Sequence, residues 1–93
     1  MTAEKGAGIA RQAAMLCQDA QFHRYLDARL RWETGMDPQA LPDGTATNLD
    51  AVEFIRSRCG ISSRAQLDHD QEAARMFGRI FADFNRWKQR RGI

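Results

Sequence analysis

The sequence is poor in the residues that build sheets and in those that staple small folds. It holds one valine and five isoleucines, no persistent apolar–polar alternation and no Asn-Gly turn dipeptide, which argues against a sheet-rich domain. Its two cysteines, Cys17 and Cys59, stand singly in apolar contexts with no C-x-x-C spacing. Such thiols are small core residues in a reducing compartment, with a disulfide between them as the alternative. His23 and His69 have no ligand-spaced partners, so no metal site is expected. No apolar run approaches the roughly 18–20 residues that cross a membrane. The opening MTAEKGAGIARQ lacks the basic start and apolar core of a secretory signal. A cytoplasmic location without a membrane partner is the expectation. Phosphate-cradling glycine loops, paired-histidine helices and nucleophile motifs are missing as well. The expectation is therefore a non-enzyme with no cofactor.

What is present is helix. The 93 residues suffice for one domain, 1–93, and 43% hydrophobic with 28% charged residues is the composition of a folded chain. A first segment runs from about Ala3 to Gln18, with Ala10, Ala13, Ala14 and Cys17 on one small-residue stripe. Gly6 and Gly8 weaken its start, so residues 1–8 are expected to fray. Asp19 is placed to cap a second helix whose apolar face is Phe22, Tyr25, Leu26 and Leu30, with Gly35 as its stop. Residues 34–47, TGMDPQALPDGTAT, carry two prolines and two glycines and read as a long loop, either mobile or used for contact, with mobility favoured.

Thr47 and Asp50 have the spacing of a cap for a third helix, Leu49 to Cys59, which Gly60 ends. Val52, Phe54 and Ile55 form its core side. Ser63 and Gln66 start a single turn at Arg64–Leu67, and Asp70 caps a last helix from Gln71 to about Arg90. The fold class is thus all-α, a small bundle of about four helices plus one short turn. Its core is expected between the last helix and the second and third, with Phe54, Ile55, Phe77, Ile80, Phe81 and Phe84 buried.

The corner CGISSRAQLDHD, residues 59–70, imitates the glycine turn of a helix-turn-helix. Arg56 stands where a close helix crossing wants a small residue, and Gln66 where a recognition helix wants an apolar anchor. A helical corner plugged by Ile61 and Leu67 fits better.

Charge is unevenly shared. Residues 1–50 hold five Lys or Arg against seven Asp or Glu, a balance of −2; residues 51–93 hold nine against five, a balance of +4. At about 100° per residue, with Arg75 as zero, Arg86, Arg79 and Arg90 lie at about 20°, 40° and 60°. The apolar residues of the last helix lie between about 100° and 240° on the other side. A basic ridge of some 20 Å results, with Lys88 and Arg91 thickening its end and Glu72 and Asp83 neutralising part of it. Arginine forks suit phosphate and carboxylate equally. The ridge is open to three readings: a solvated face, a nucleic-acid contact or a protein contact. Trp87 is either core or a surface anchor beside the basic residues.

The succession LCQDAQFHRYL (16–26) followed by AVEFIRSRCGISSRAQLDHDQEAARMFGRIFADFNRW (51–87) resembles small uncharacterised accessory proteins of bacteriophages and prophages, of the early-gene, recombination and host-takeover type. The resemblance covers most of the chain outside the loop and the N-terminus, and it implies a bacterial host cytoplasm. It implies no catalytic residues. The implied function is contact with DNA, or with a host or phage nucleoprotein complex; the residues expected to make it come from the reading of the last helix and are Arg75, Arg79, Arg86, Trp87, Lys88, Arg90 and Arg91. The alternative is a protein–protein inhibitor of a host defence complex, anti-CRISPR-like, that does not touch DNA. A homodimer with paired helices is a third expectation.

Overall fold

The computed structural model describes the backbone of residues 2–92 and the side chains of residues 8–92. Four α-helices and one 3-10 turn follow in order: α1 (Thr2–Cys17), α2 (Ala20–Thr34), α3 (Asn48–Cys59), the 3-10 turn (Arg64–Asp68) and α4 (Gln71–Arg90). There is no strand among the described residues, and the all-α class holds. No helix among them is long and apolar enough to cross a membrane. The expected fraying at 1–8 falls mainly on residues whose side chains lie outside the described set; the backbone is already helical from Thr2.

The helix ends are where their capping residues put them. Asp19 accepts from the amide of Gln21 at 2.8 Å, and Asp70 from that of Ala73 at 3.1 Å. Each satisfies a first-turn donor that has no partner within its own helix. Thr47 with Asp50, and Ser63 with Gln66, form reciprocal capping boxes. Gly60 stops α3 at φ 68°, which lets its own amide and that of Ile61 bond back to the carbonyl of Arg56.

One apolar cluster joins all the elements. Its centre is aromatic: Phe22 meets Phe84 edge-on at 5.2 Å, and Tyr25 meets Phe84 at 5.6 Å and Trp87 at 5.7 Å. These pairings run upward together in number, so α2 and α4 point the same way along their contact. Phe22, Phe84 and Ile55 are almost wholly enclosed. The expectation of a core between the last helix and the second and third alone needs correction, because α1 adds Ala13, Leu16 and Cys17, all buried, while Ala10 and Ala14 of its stripe are half-buried.

Three core expectations need correction. Phe81 is 38% exposed and stacks only on Phe77, at 6.1 Å. At about 240° it sits on the margin of the apolar stripe, about 60° beyond Phe84. Phe54 is half-buried, with Arg58 lying over its ring at 4.9 Å. Leu30 is 45% exposed, past the point where α2 meets the core.

The corner after α3 is a packing device. Ile61 and Leu67 are buried, at 7% and 1% exposure. The segment that would be a recognition helix is a five-residue 3-10 turn pressed on α1. Asp68 fixes the contact by accepting from the backbone amide of Ala10 at 3.0 Å, across 58 residues of sequence.

The 34–47 loop is not a free tether. Asp27 on α2 is 2% exposed, and its two carboxylate oxygens accept from the amides of Gly44 at 2.8 Å and Ala46 at 2.9 Å. Arg31 donates to the carbonyl of Leu41 at 2.8 Å and to Asp43 at 3.1 Å. Gly44, at φ 95°, supplies the backbone turn that brings both amides to Asp27. These long-range bonds, which the sequence hides, tie residues 41–46 of the loop to α2.

Candidate functional site

The arginine ridge survives in part. Arg75, Arg79, Arg86 and Arg90 are exposed on one side of α4, opposite Ala73, Phe77, Ile80 and Phe84, which are buried. Arg75 pairs with Glu72 at 3.7 Å and Arg86 with Asp83, each one turn back along the helix. Arg79 and Arg90 make no ion pair among the described residues. Lys88 and Arg91 do not belong to the ridge. The Lys88 ammonium lies 4.7 Å from the Phe84 ring centre, and the Arg91 guanidinium 5.1 Å from that of Trp87. Their positions, about 220° and 160°, are on the apolar side of the helix. There they cover aromatic faces, which stabilises them by cation–π attraction.

The ridge also divides along its length. Arg75 and Arg79 flank a shallow depression of about 180 Å³ with Glu72 and Met76. Arg86 and Arg90 instead border an open groove of about 570 Å³ between α2 and α4. Each helix offers that groove a set spaced i, i+3, i+4, i+7, the signature of one helical face. From α2 come Tyr25, Ala28, Arg29 and Trp32, and from α4 come Asp83, Arg86, Trp87 and Arg90.

Trp87 is half-buried, fixed by Tyr25 and by Phe84. It is core and groove lining at once. Trp32 faces the same space and is 81% exposed, the most exposed of the large apolar side chains among the described residues. Arg29 is held by the Tyr25 hydroxyl at 3.4 Å and by Glu33 at 3.0 Å. Burial alone would lower its pKa, but the Tyr25 oxygen and the Glu33 carboxylate together raise it, so it keeps its charge. Its Nε is buried without a hydrogen-bond partner among the described residues.

The groove therefore combines three guanidinium groups, one carboxylate and exposed indole surface. Two helix C-termini, each worth about half a negative charge, lie near it, and the arginines outweigh them. Such a lining recognises anionic groups through forks and flat apolar groups through stacking. Sequence reasoning located Arg86, Arg90 and Trp87 but missed Arg29 and Trp32. The signal was available: Tyr25, Arg29 and Trp32 share one face of α2 at i, i+4, i+7.

Polar side chains at the corner and on α2 are engaged with the backbone. Asp68 and Asp70 hold backbone amides, and His23 Nε2 donates to the carbonyl of Cys17 at 2.6 Å. Among the described residues no three His, Cys, Asp or Glu side chains converge as metal ligands would. A smaller apolar recess of about 330 Å³ lies between α2, the loop and α3, beside Leu30 and Phe54. No protein-family model, curated protein or solved structure matches the chain.

Proposed function

We propose that this protein is a non-enzymatic binding module that contacts nucleic acid, or a nucleoprotein complex, through the arginines of α4. The phage accessory context rests on the sequence resemblance alone. The observation that carries the proposal is the segregation of α4, whose buried face is apolar while Arg75, Arg79, Arg86 and Arg90 stand exposed on the other. Guanidinium groups in such a row neutralise phosphates and release counterions, which supplies affinity without base-specific contacts. The ion pairs with Glu72 and Asp83 do not remove the arginines from use, since exposed pairs are worth only about 0–1 kcal/mol. A gel shift with a random-sequence oligonucleotide, repeated as salt is raised, tests the proposal. Binding should weaken steeply with salt; salt-insensitive binding, or none at low salt, would count against it.

A second reading, a protein–protein inhibitor, is supported by a different feature. Leu30, 45% exposed, borders the apolar recess of about 330 Å³ beside Phe54. Exposed apolar surface in a recess of this kind suits a protein partner. Pull-down of a purified nucleoprotein complex before and after nuclease treatment separates the two, because only the inhibitor keeps its partner when the nucleic acid is removed.

A further inference from the structure

We propose that the groove between α2 and α4 takes single-stranded nucleic acid, with Trp32 as the platform on which a base stacks. The proposal rests on the nucleic-acid reading of α4 and names the form of that ligand.

Geometry disfavours insertion of this end of α4 into a duplex groove. A helix with its side chains is about 10–12 Å across, and the major groove of duplex DNA is about 12 Å wide. One helix fits; two side by side do not. Arg86 and Arg90 share their groove with Trp32 and Arg29 of α2, so this end of α4 cannot enter the major groove without α2, and a duplex is left only with contacts to its outer phosphates. A flexible single strand has no such width.

Chemistry favours the single strand. Nonspecific single-strand sites pair a basic track with aromatic side chains on which unstacked bases lie. Here Arg29, Arg86 and Arg90 provide the track and Trp32 the aromatic face. Trp32 takes part in none of the aromatic pairs among the described residues. Trp87, by contrast, is committed to Tyr25, Phe84 and Arg91. Ala28, the only lining residue with a single-carbon side chain, leaves space on the α2 wall beside the indole. A base on Trp32 would place its phosphates toward the α4 arginines on the opposite wall.

The test uses fluorescein-labelled oligothymidylate of about 15 nucleotides and a duplex of the same length, with binding read by anisotropy at low salt. The parent should bind the single strand about tenfold or more tighter than the duplex. Trp32→Ala should weaken single-strand binding by about tenfold, as loss of one stacked base implies, and leave duplex binding unchanged. Trp32→Phe should restore most of it, and the intrinsic tryptophan emission quenched by the strand should largely vanish in that variant. Circular dichroism confirms that the exposed substitution leaves the fold intact. If Trp32→Ala binds the single strand as well as the parent, or the duplex binds as tightly, the groove assignment is overturned while nucleic-acid contact stands. If neither oligonucleotide binds but polyglutamate does, both the assignment and the nucleic-acid reading are overturned in favour of an acidic protein partner.

Discussion

The carboxylate of Asp27, enclosed on α2, accepts a 2.8 Å hydrogen bond from the amide of Gly44, 17 residues away in the loop. Its second oxygen holds Ala46 at 2.9 Å. One side chain thus anchors the connection between α2 and α3. A carboxylate accepting from backbone amides is among the stronger hydrogen-bond arrangements.

Asp27→Ala leaves two amides without that partner and should cost about 1.5–3 kcal/mol for each charged bond lost, less whatever water recovers. Urea denaturation measures the loss. Hydrogen exchange should speed at Gly44 and Ala46 well before the helices open. An unchanged midpoint with unchanged exchange would show that the loop is held by other contacts.

Aromatic burial ranks the core. Phe84→Ala removes a ring that is 1% exposed and touches Phe22 and Tyr25, at a cost of about 3–5 kcal/mol. That is comparable with the whole stability of many small domains. Phe81→Ala should cost only about 1–2 kcal/mol, because an exposed ring gains part of its transfer free energy at most. Thermal melts of the two variants should separate clearly, and equal destabilisation would contradict the packing.

Burial pushes the thiols of both cysteines up; at Cys17 a nearby Arg64 offsets part of the effect. A neutral thiol is therefore favoured in the folded state. The stabilising contribution is complete below the unfolded thiol pKa of about 8.5 and is lost as pH rises through the higher folded value. Alkylation by iodoacetamide at pH 8 should be slow at both sites, and slower at Cys17, which is buried where Cys59 is half-buried. Fast labelling of Cys17 in the folded protein would contradict its enclosure.

Much of the helical frame is legible in the residues because its signals are local. Asp19, Thr47 with Asp50, Ser63 with Gln66, and Asp70 each act on amides within three residues. What the sequence conceals is contact between distant segments. Nothing near Asp27 announces that its partners are Gly44 and Ala46, nor near Asp68 that it reaches Ala10. Phe81 shows the limit of angular reasoning, since a residue at the stripe's margin is buried only if a neighbour happens to cover it. The groove was half visible for the same reason. Arg86, Trp87 and Arg90 follow from the period of α4, but that α2 brings Arg29 and Trp32 beside them depends on how the two helices pack.

The central claim is that the α4 arginines bind a phosphate chain, and the variant carrying Arg79→Glu, Arg86→Glu and Arg90→Glu tests it most directly. All three side chains are exposed, so each change should alter stability by no more than about 0.5 kcal/mol. The measurement is affinity for an oligonucleotide across a salt series, beside a circular-dichroism melt. For the parent, the logarithm of affinity should fall linearly with that of salt, by about 0.7 per phosphate contact on a single strand or 0.9 on a duplex. The triple variant should melt like the parent, bind at least about tenfold more weakly and show a flatter slope. A variant that melts normally and binds with the parent's affinity and slope would show that the α4 arginines are only a solvated face.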